Sequence, residues 1–349
     1  MRNVIWARLT AGLTALSFIL LSCVVIIVDP FEIYRKATHF VPPIDNTTQV
    51  YSNAGIVRQY DYDSAIVGSS VTENFRPSYM DTCLGGHFVK LVTSAATAKN
   101  HQLLLRLAFK THNLHRIVYG LDVYSFIALT DETGSEVPIY LYDDNLVNDV
   151  QYWLNRSVLF SFLPRCLKTW GQVPESSIRD TMYSWAGRDK YGKIALYNAS
   201  FTKPKDERPA EFYLERGQAN LEKNLLPFVK EHPETQFDFF FPPYSAAEWA
   251  SMKSRGTLTG MLAMRGLLYD ALSKYPNIRI FDYSAREEWV LNLENYKDTL
   301  HYGQWINDLI VDCIAKADGL VESKEELDAA TQWLYARADE QIEAGGWLW

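Results

Sequence analysis

The sequence predicts a three-layer α/β/α protein built on a five-stranded parallel sheet and preceded by an N-terminal transmembrane helix. Three observations lead there. Short apolar, β-rich runs alternate with longer stretches of helical period, the pattern of a parallel sheet covered on both faces. A long apolar run without charge lies within the first 28 residues. The composition, 48% hydrophobic, 22% charged and 14% aromatic over 349 residues, is that of a packed chain and excludes disorder.

The apolar run extends from Leu9 to Val28 and reads LTAGLTALSFILLSCVVIIV. As a helix it spans roughly 30 Å, the thickness of a bilayer core. Arg2 and Arg8 precede it, and Asp29 and Glu32 follow. The positive-inside rule then sets the N-terminus in the cytoplasm and residues 30–349 outside it. A cleaved signal is the rival reading, with Leu20-Leu21-Ser22-Cys23 loosely matching a lipoprotein site. The apolar run continues past Cys23, so residues 1–29 read as a cytoplasmic tip and an uncleaved, single-pass signal anchor.

Residues 30–60 include Pro42-Pro43 and read as an extended connector. In the domain 61–320, strands are expected at 64–67, 87–92, 116–119, 237–241 and 278–281. Helices are expected at 98–110, 210–230, 246–274 and 304–317. The stretch 125–209 breaks this rhythm and reads as an insertion beside or over the sheet. Its Trp153, Trp170, Tyr183, Trp185 and Tyr191 suit sugar stacking, membrane contact or a small core of their own. The end, 321–349, reads as a charged amphipathic helix with the aromatic tail Trp347-Leu348-Trp349.

Composition and motifs narrow the function. A net charge of −8 leaves no basic footprint for nucleic acid. No G-x-x-x-x-G-K-[ST], G-x-G-x-x-G, H-E-x-x-H or C-x-x-C occurs, which removes the usual nucleotide, zinc-protease and redox readings. Cys23 falls in the membrane run, leaving Cys83, Cys166 and Cys313 outside. At most one disulfide is then possible, and buried, inert thiols are expected.

Sites in parallel α/β sheets lie at the carboxyl ends of the strands. The first strand runs into Gly68-Ser69-Ser70-Val71-Thr72-Glu73-Asn74. Ser70 is expected near the start of the next helix, where free N–H groups favour developing negative charge. Either serine also reads as a simple helix cap. After the fifth strand comes Asp298-Thr299-Leu300-His301. Of the seven histidines, only His301 has a carboxylate three residues earlier. Such a turn presents an imidazole together with the acid that orients it, although alone it also fits a surface turn. Tyr244 and Ser245 follow the fourth strand, so they either line the cleft or belong to a structural loop.

Val67-Gly68-Ser69-Ser70 together with Asp298-x-x-His301 resembles the SGNH (GDSL-like) hydrolase superfamily. More narrowly, the chain is similar to membrane-anchored DltD-like and alginate-acetylation proteins that work with membrane-bound O-acyltransferases. The likeness covers roughly residues 64–317. It implies the flavodoxin-like SGNH fold, with Ser70 as nucleophile, His301 as base and Asp298 as its orienting acid. Two blocks depart from the family pattern. Ala95 stands where the family has an oxyanion-hole glycine, and its backbone N–H survives that exchange. Asp122, in Gly120-Leu121-Asp122, stands where the family offers an Asn, and an ionised carboxylate cannot donate to an oxyanion. Asp122 then binds protonated, serves another purpose or marks weakened catalysis. On the residues alone it also reads as a buried acid accepting backbone N–H groups.

The resemblance implies a serine O-acyltransferase or esterase at the cell envelope, acting without cofactor or metal on a glycan or acylated polymer. The alternative is a catalytically weak binding module that presents polymer to a membrane-bound O-acyltransferase. A purely structural anchored adaptor would leave the pairing of Ser70 with His301 unexplained.

Overall fold

The computed structural model describes residues 2–174, 178–196 and 208–343. The tail Trp347-Leu348-Trp349 lies outside the described residues. The chain divides into two compact units, one of residues 1–60 and 136–178, the other of residues 61–135 and 179 onward.

The second unit holds the sheet. Its five strands are β1 (Ser64–Gly68), β2 (Phe88–Val92), β3 (Arg116–Gly120), β4 (Gln236–Phe241) and β5 (Ile278–Asp282), in the order β2-β1-β3-β4-β5. All neighbours pair parallel, with Ser64 opposite Phe88 and Arg116, and Gly120 opposite Phe240. Strands β1 to β4 are almost wholly buried, as expected where helices cover both faces of a parallel sheet, while edge strand β5 is half-buried. The fold is therefore the expected five-stranded parallel α/β sheet.

Helix Pro77–Leu84 packs with Gln304–Lys316, where Tyr79 donates to Asp312 at 2.6 Å and Arg76 pairs with Asp308 at 2.9 Å. Ala210–Asn220 packs on Leu258–Leu272. Three expected helices are interrupted or shifted. The run at 246–274 is two helices, Ala246–Ser254 and Leu258–Leu272, parted by Gly256 at a left-handed φ of 69°. The run at 210–230 widens into a π turn at Leu221–Leu225 just before Pro227. The helix expected directly after Ser70 begins only at Pro77. Proline excludes its predecessor from the helical region, and Arg76 sits extended at φ −106°, ψ 106°. Ser70 instead opens a single 3₁₀ turn, Ser70–Thr72, so no long helix dipole stands behind it.

The first unit begins with α1 (Arg2–Val28), long and apolar enough to cross a membrane, with a mean hydropathy of 2.6 over its most apolar 18 residues and side chains largely exposed. The stretch 30–60 is packed, not an extended connector. Asp29 and Glu32 are buried, and Gln49–Gln59 is a helix. The Asp29 carboxylate accepts the N–H groups of Ile33, Tyr34 and Arg35, turning the chain sharply as α1 ends. Burial nevertheless pushes its carboxyl above the ordinary range. All four cysteines are free thiols, with Cys166 and Cys313 buried.

Candidate active site

Ser70, Ala95, Asp122, Tyr244 and Ser245 follow closely on the carboxyl ends of β1 to β4, while Asp298 and His301 sit on a later loop after β5. Ser70, His301 and Asp298 form one hydrogen-bonded row. His301 Nε2 lies 2.7 Å from Ser70 Oγ. On the other side of the ring, Nδ1 lies 2.7 and 2.9 Å from the two oxygens of Asp298. Ser70 and His301 are half-buried.

The chain builds each member locally. The Ser70 turn sits on Thr72, whose side chain is fully buried and donates to Ser69 O at 2.7 Å. A Cβ on Gly68 would come within 2.6 Å of that side chain, and one on Gly120 within 2.9 Å. Both strand ends therefore need glycine for close approach, the first because Thr72 folds back over it. The His301 loop closes through an antiparallel bridge between Tyr296 and Tyr302. Within it, Asp298 Oδ1 accepts the N–H groups of Leu300 at 2.9 Å and His301 at 2.7 Å. Burial raises the Asp298 carboxyl, but the hydrogen bonds and charge of His301 and these two N–H groups outweigh it and hold the carboxyl below its ordinary value.

The remaining predicted residues lie outside this row. Asp122 is buried and fully engaged. Its Oδ1 accepts the hydroxyl of Tyr244 at 2.6 Å and the N–H of Tyr124 at 3.0 Å, while Oδ2 accepts the hydroxyl of Ser69. The carboxylate is thus a brace between three segments, satisfied by donors. Tyr244 and Ser245 are buried and do not line an open cleft. Ser245 caps the following helix at Glu248 N and donates to Thr299 O at 2.6 Å, pinning the His301 loop. Tyr296 adds a bond to Pro243 O at 2.7 Å. Ala95 is exposed and adopts the left-handed region at φ 50°, a conformation that favours glycine.

Sequence reasoning left the role of Trp185 open among several aromatics. Its ring meets the His301 imidazole edge to face, with centroids 5.9 Å apart at 88°. Lys297 Nζ lies 3.7 Å above the same indole and pairs with Asp189 at 3.1 Å. Asn74 Oδ1 holds this segment by accepting from Ser184 Oγ at 3.0 Å and Trp185 N at 3.1 Å. The elements meet only in the fold, 110 and 111 positions apart, so no local signal marks them.

Fold and site together define a parallel α/β protein with a serine–histidine–aspartate row at the carboxyl edge of its sheet. No family model and no curated protein matches the chain. Among solved structures, a chain from Streptococcus pneumonia described as a "putative platelet activating factor" matches at a TM-score of 0.41 and 10% identity, over 78% of this chain and 92% of that one. The functional reading therefore rests on the site itself.

Proposed function

We propose that the protein is a membrane-anchored serine O-acyltransferase or esterase of SGNH type, acting outside the cytoplasm on a cell-surface glycan or acylated polymer. The observation that carries this reading is the uninterrupted row from Ser70 Oγ through His301 to Asp298. Ser70 Oγ attacks an acyl carbonyl while His301 Nε2 takes its proton, and Asp298 steadies the imidazolium that forms. Collapse of the tetrahedral intermediate returns that proton to the leaving oxygen and leaves the acyl group on Ser70. A sugar hydroxyl or water, deprotonated by His301, then attacks the acyl carbonyl, and the Ser70 ester bond breaks as His301 returns the proton to Ser70 Oγ. The backbone N–H groups of Ser70 and Ala95 are the proposed oxyanion donors.

The partner proposed for this reaction is a membrane-bound O-acyltransferase in the same bilayer, reached through the anchor Leu9 to Val28. A serine-directed phosphonate should label the full chain on Ser70, identified by peptide mass. Labelling that leaves Ser70 unmodified overturns the reading. A reporter fused after Trp349 should be active only when exported, and activity in the cytoplasm overturns the orientation.

A further inference from the structure

The unit of residues 1–60 and 136–178 has an unusual surface. Outside α1, thirteen large apolar side chains are exposed among the described residues, and eight belong to this unit. Phe160 is 72% exposed, Leu167 52%, Trp170 55% and Val173 74%. The segment bearing the first two is apolar on both sides. It buries Val158, Leu163 and Cys166, and it shows Phe160 and Leu167 to the outside. A segment that shows large apolar side chains outward as well as inward suits contact with a second apolar medium.

The end of α1 indicates which medium. Val28, its last residue, is buried in one cluster with Phe40, Leu163 and Cys166. Trp170 stacks on Phe40, ring centroids 6.2 Å apart and nearly parallel at 12°. Two bonds fix the strip carrying Trp170, from Gly171 N to His39 O at 2.6 Å and from Val41 N to Thr169 Oγ1 at 3.1 Å. Trp170 is therefore held one ring away from the residue where the apolar helix ends. Tryptophan is enriched at that depth, where an apolar ring meets a wet headgroup layer. The exposed Lys168 stands between Leu167 and Trp170, while Arg165, one turn earlier, is paired with Asp45. A lysine so placed lays its stem on apolar surface and reaches anionic headgroups with its charge.

We propose that the face carrying Phe160, Leu167, Trp170 and Val173 lies in the interfacial layer of the bilayer that α1 crosses, making this unit a seat on the membrane and not merely a tether. The proposal rests on the anchor reading above, and one experiment separates the two. The full chain, its Trp170→Phe variant and its Trp6→Phe variant are reconstituted into phosphatidylcholine–phosphatidylglycerol vesicles with acyl chains brominated near the headgroup. The phenyl ring of Trp170→Phe keeps the stack on Phe40. The fluorescence lost in each variant gives the contribution of that tryptophan. Both contributions should be quenched by bromolipid to a similar fraction. Quenching of the Trp6 contribution alone overturns the seated face and leaves the anchor standing. A Trp170 contribution shielded from both bromolipid and aqueous iodide also overturns it, and would point to a protein cover. If neither contribution responds to bromolipid, the anchor fails and the proposal with it.

Discussion

Tyr244 donates its hydroxyl to Asp122 across 2.6 Å, and that bond ties the end of β4 to the end of β3 beneath the Ser69–Ser70 turn. With Ser69 on its other oxygen, Asp122 holds three segments in register by accepting hydrogen bonds. An amide there would set an NH₂ group against a hydroxyl that now donates.

Asp122→Asn should therefore weaken the protein, contrary to the gain expected if the carboxylate merely repelled an oxyanion. Leaving a buried donor poorly matched costs about 1–3 kcal/mol. The drop should appear in thermal unfolding, with acyl-ester turnover falling alongside it. Unchanged stability with raised turnover would show that the carboxylate faces the reaction.

Trp185 confines the His301 ring, and Lys297 in turn packs on the indole. Trp185→Leu should lower kcat by roughly 10-fold or more, because small misplacement of a catalytic group is costly. The loss should fall on kcat more than on KM. Steady-state kinetics on a soluble ester check this, and a wild-type kcat would show the ring to be incidental.

Lys90 sits fully buried in β2, donating to Glu73 O at 3.0 Å and Asp180 O at 2.8 Å. Burial lowers its pKa from 10.5 to about 7. Between those values the unfolded chain binds more protons than the folded one, so this group makes stability rise with pH across that window. Below about pH 7 both states are protonated and its effect is constant. The stability of the wild type relative to Lys90→Met should accordingly improve from pH 7 to pH 10, by up to about 1.4 kcal/mol per pH unit. A difference that stays flat would mean the amine titrates normally.

The strands were legible because each keeps a short apolar, β-rich core, although Lys90, Asp238 and Arg279 interrupt three of them and edge strand β5 is only half-buried. The helix breaks were less so. Gly256 and Pro227 are visible in the sequence, yet the helical period continues past each of them. Pro77 did carry a usable signal, since it bars Arg76 from the helix and moves the helix start away from Ser70. At the site, Ser70, Asp298 and His301 each sit in a short local motif. The brace on Asp122 is built from partners 53 and 122 positions away. The packing of Trp185 on His301 likewise depends on the fold. Pairings of that range leave no periodicity to read.

Acyl-ester turnover by the full-length Ser70→Ala variant tests whether Ser70 is the nucleophile. Turnover should fall to background, a loss on the order of 10⁶-fold, with His301→Ala about as severe because members of one catalytic unit fail together. Ser69→Ala, which removes only a hydroxyl bound to Asp122, should cost far less. Wild-type turnover in Ser70→Ala would show that Ser70 takes no covalent part in the reaction.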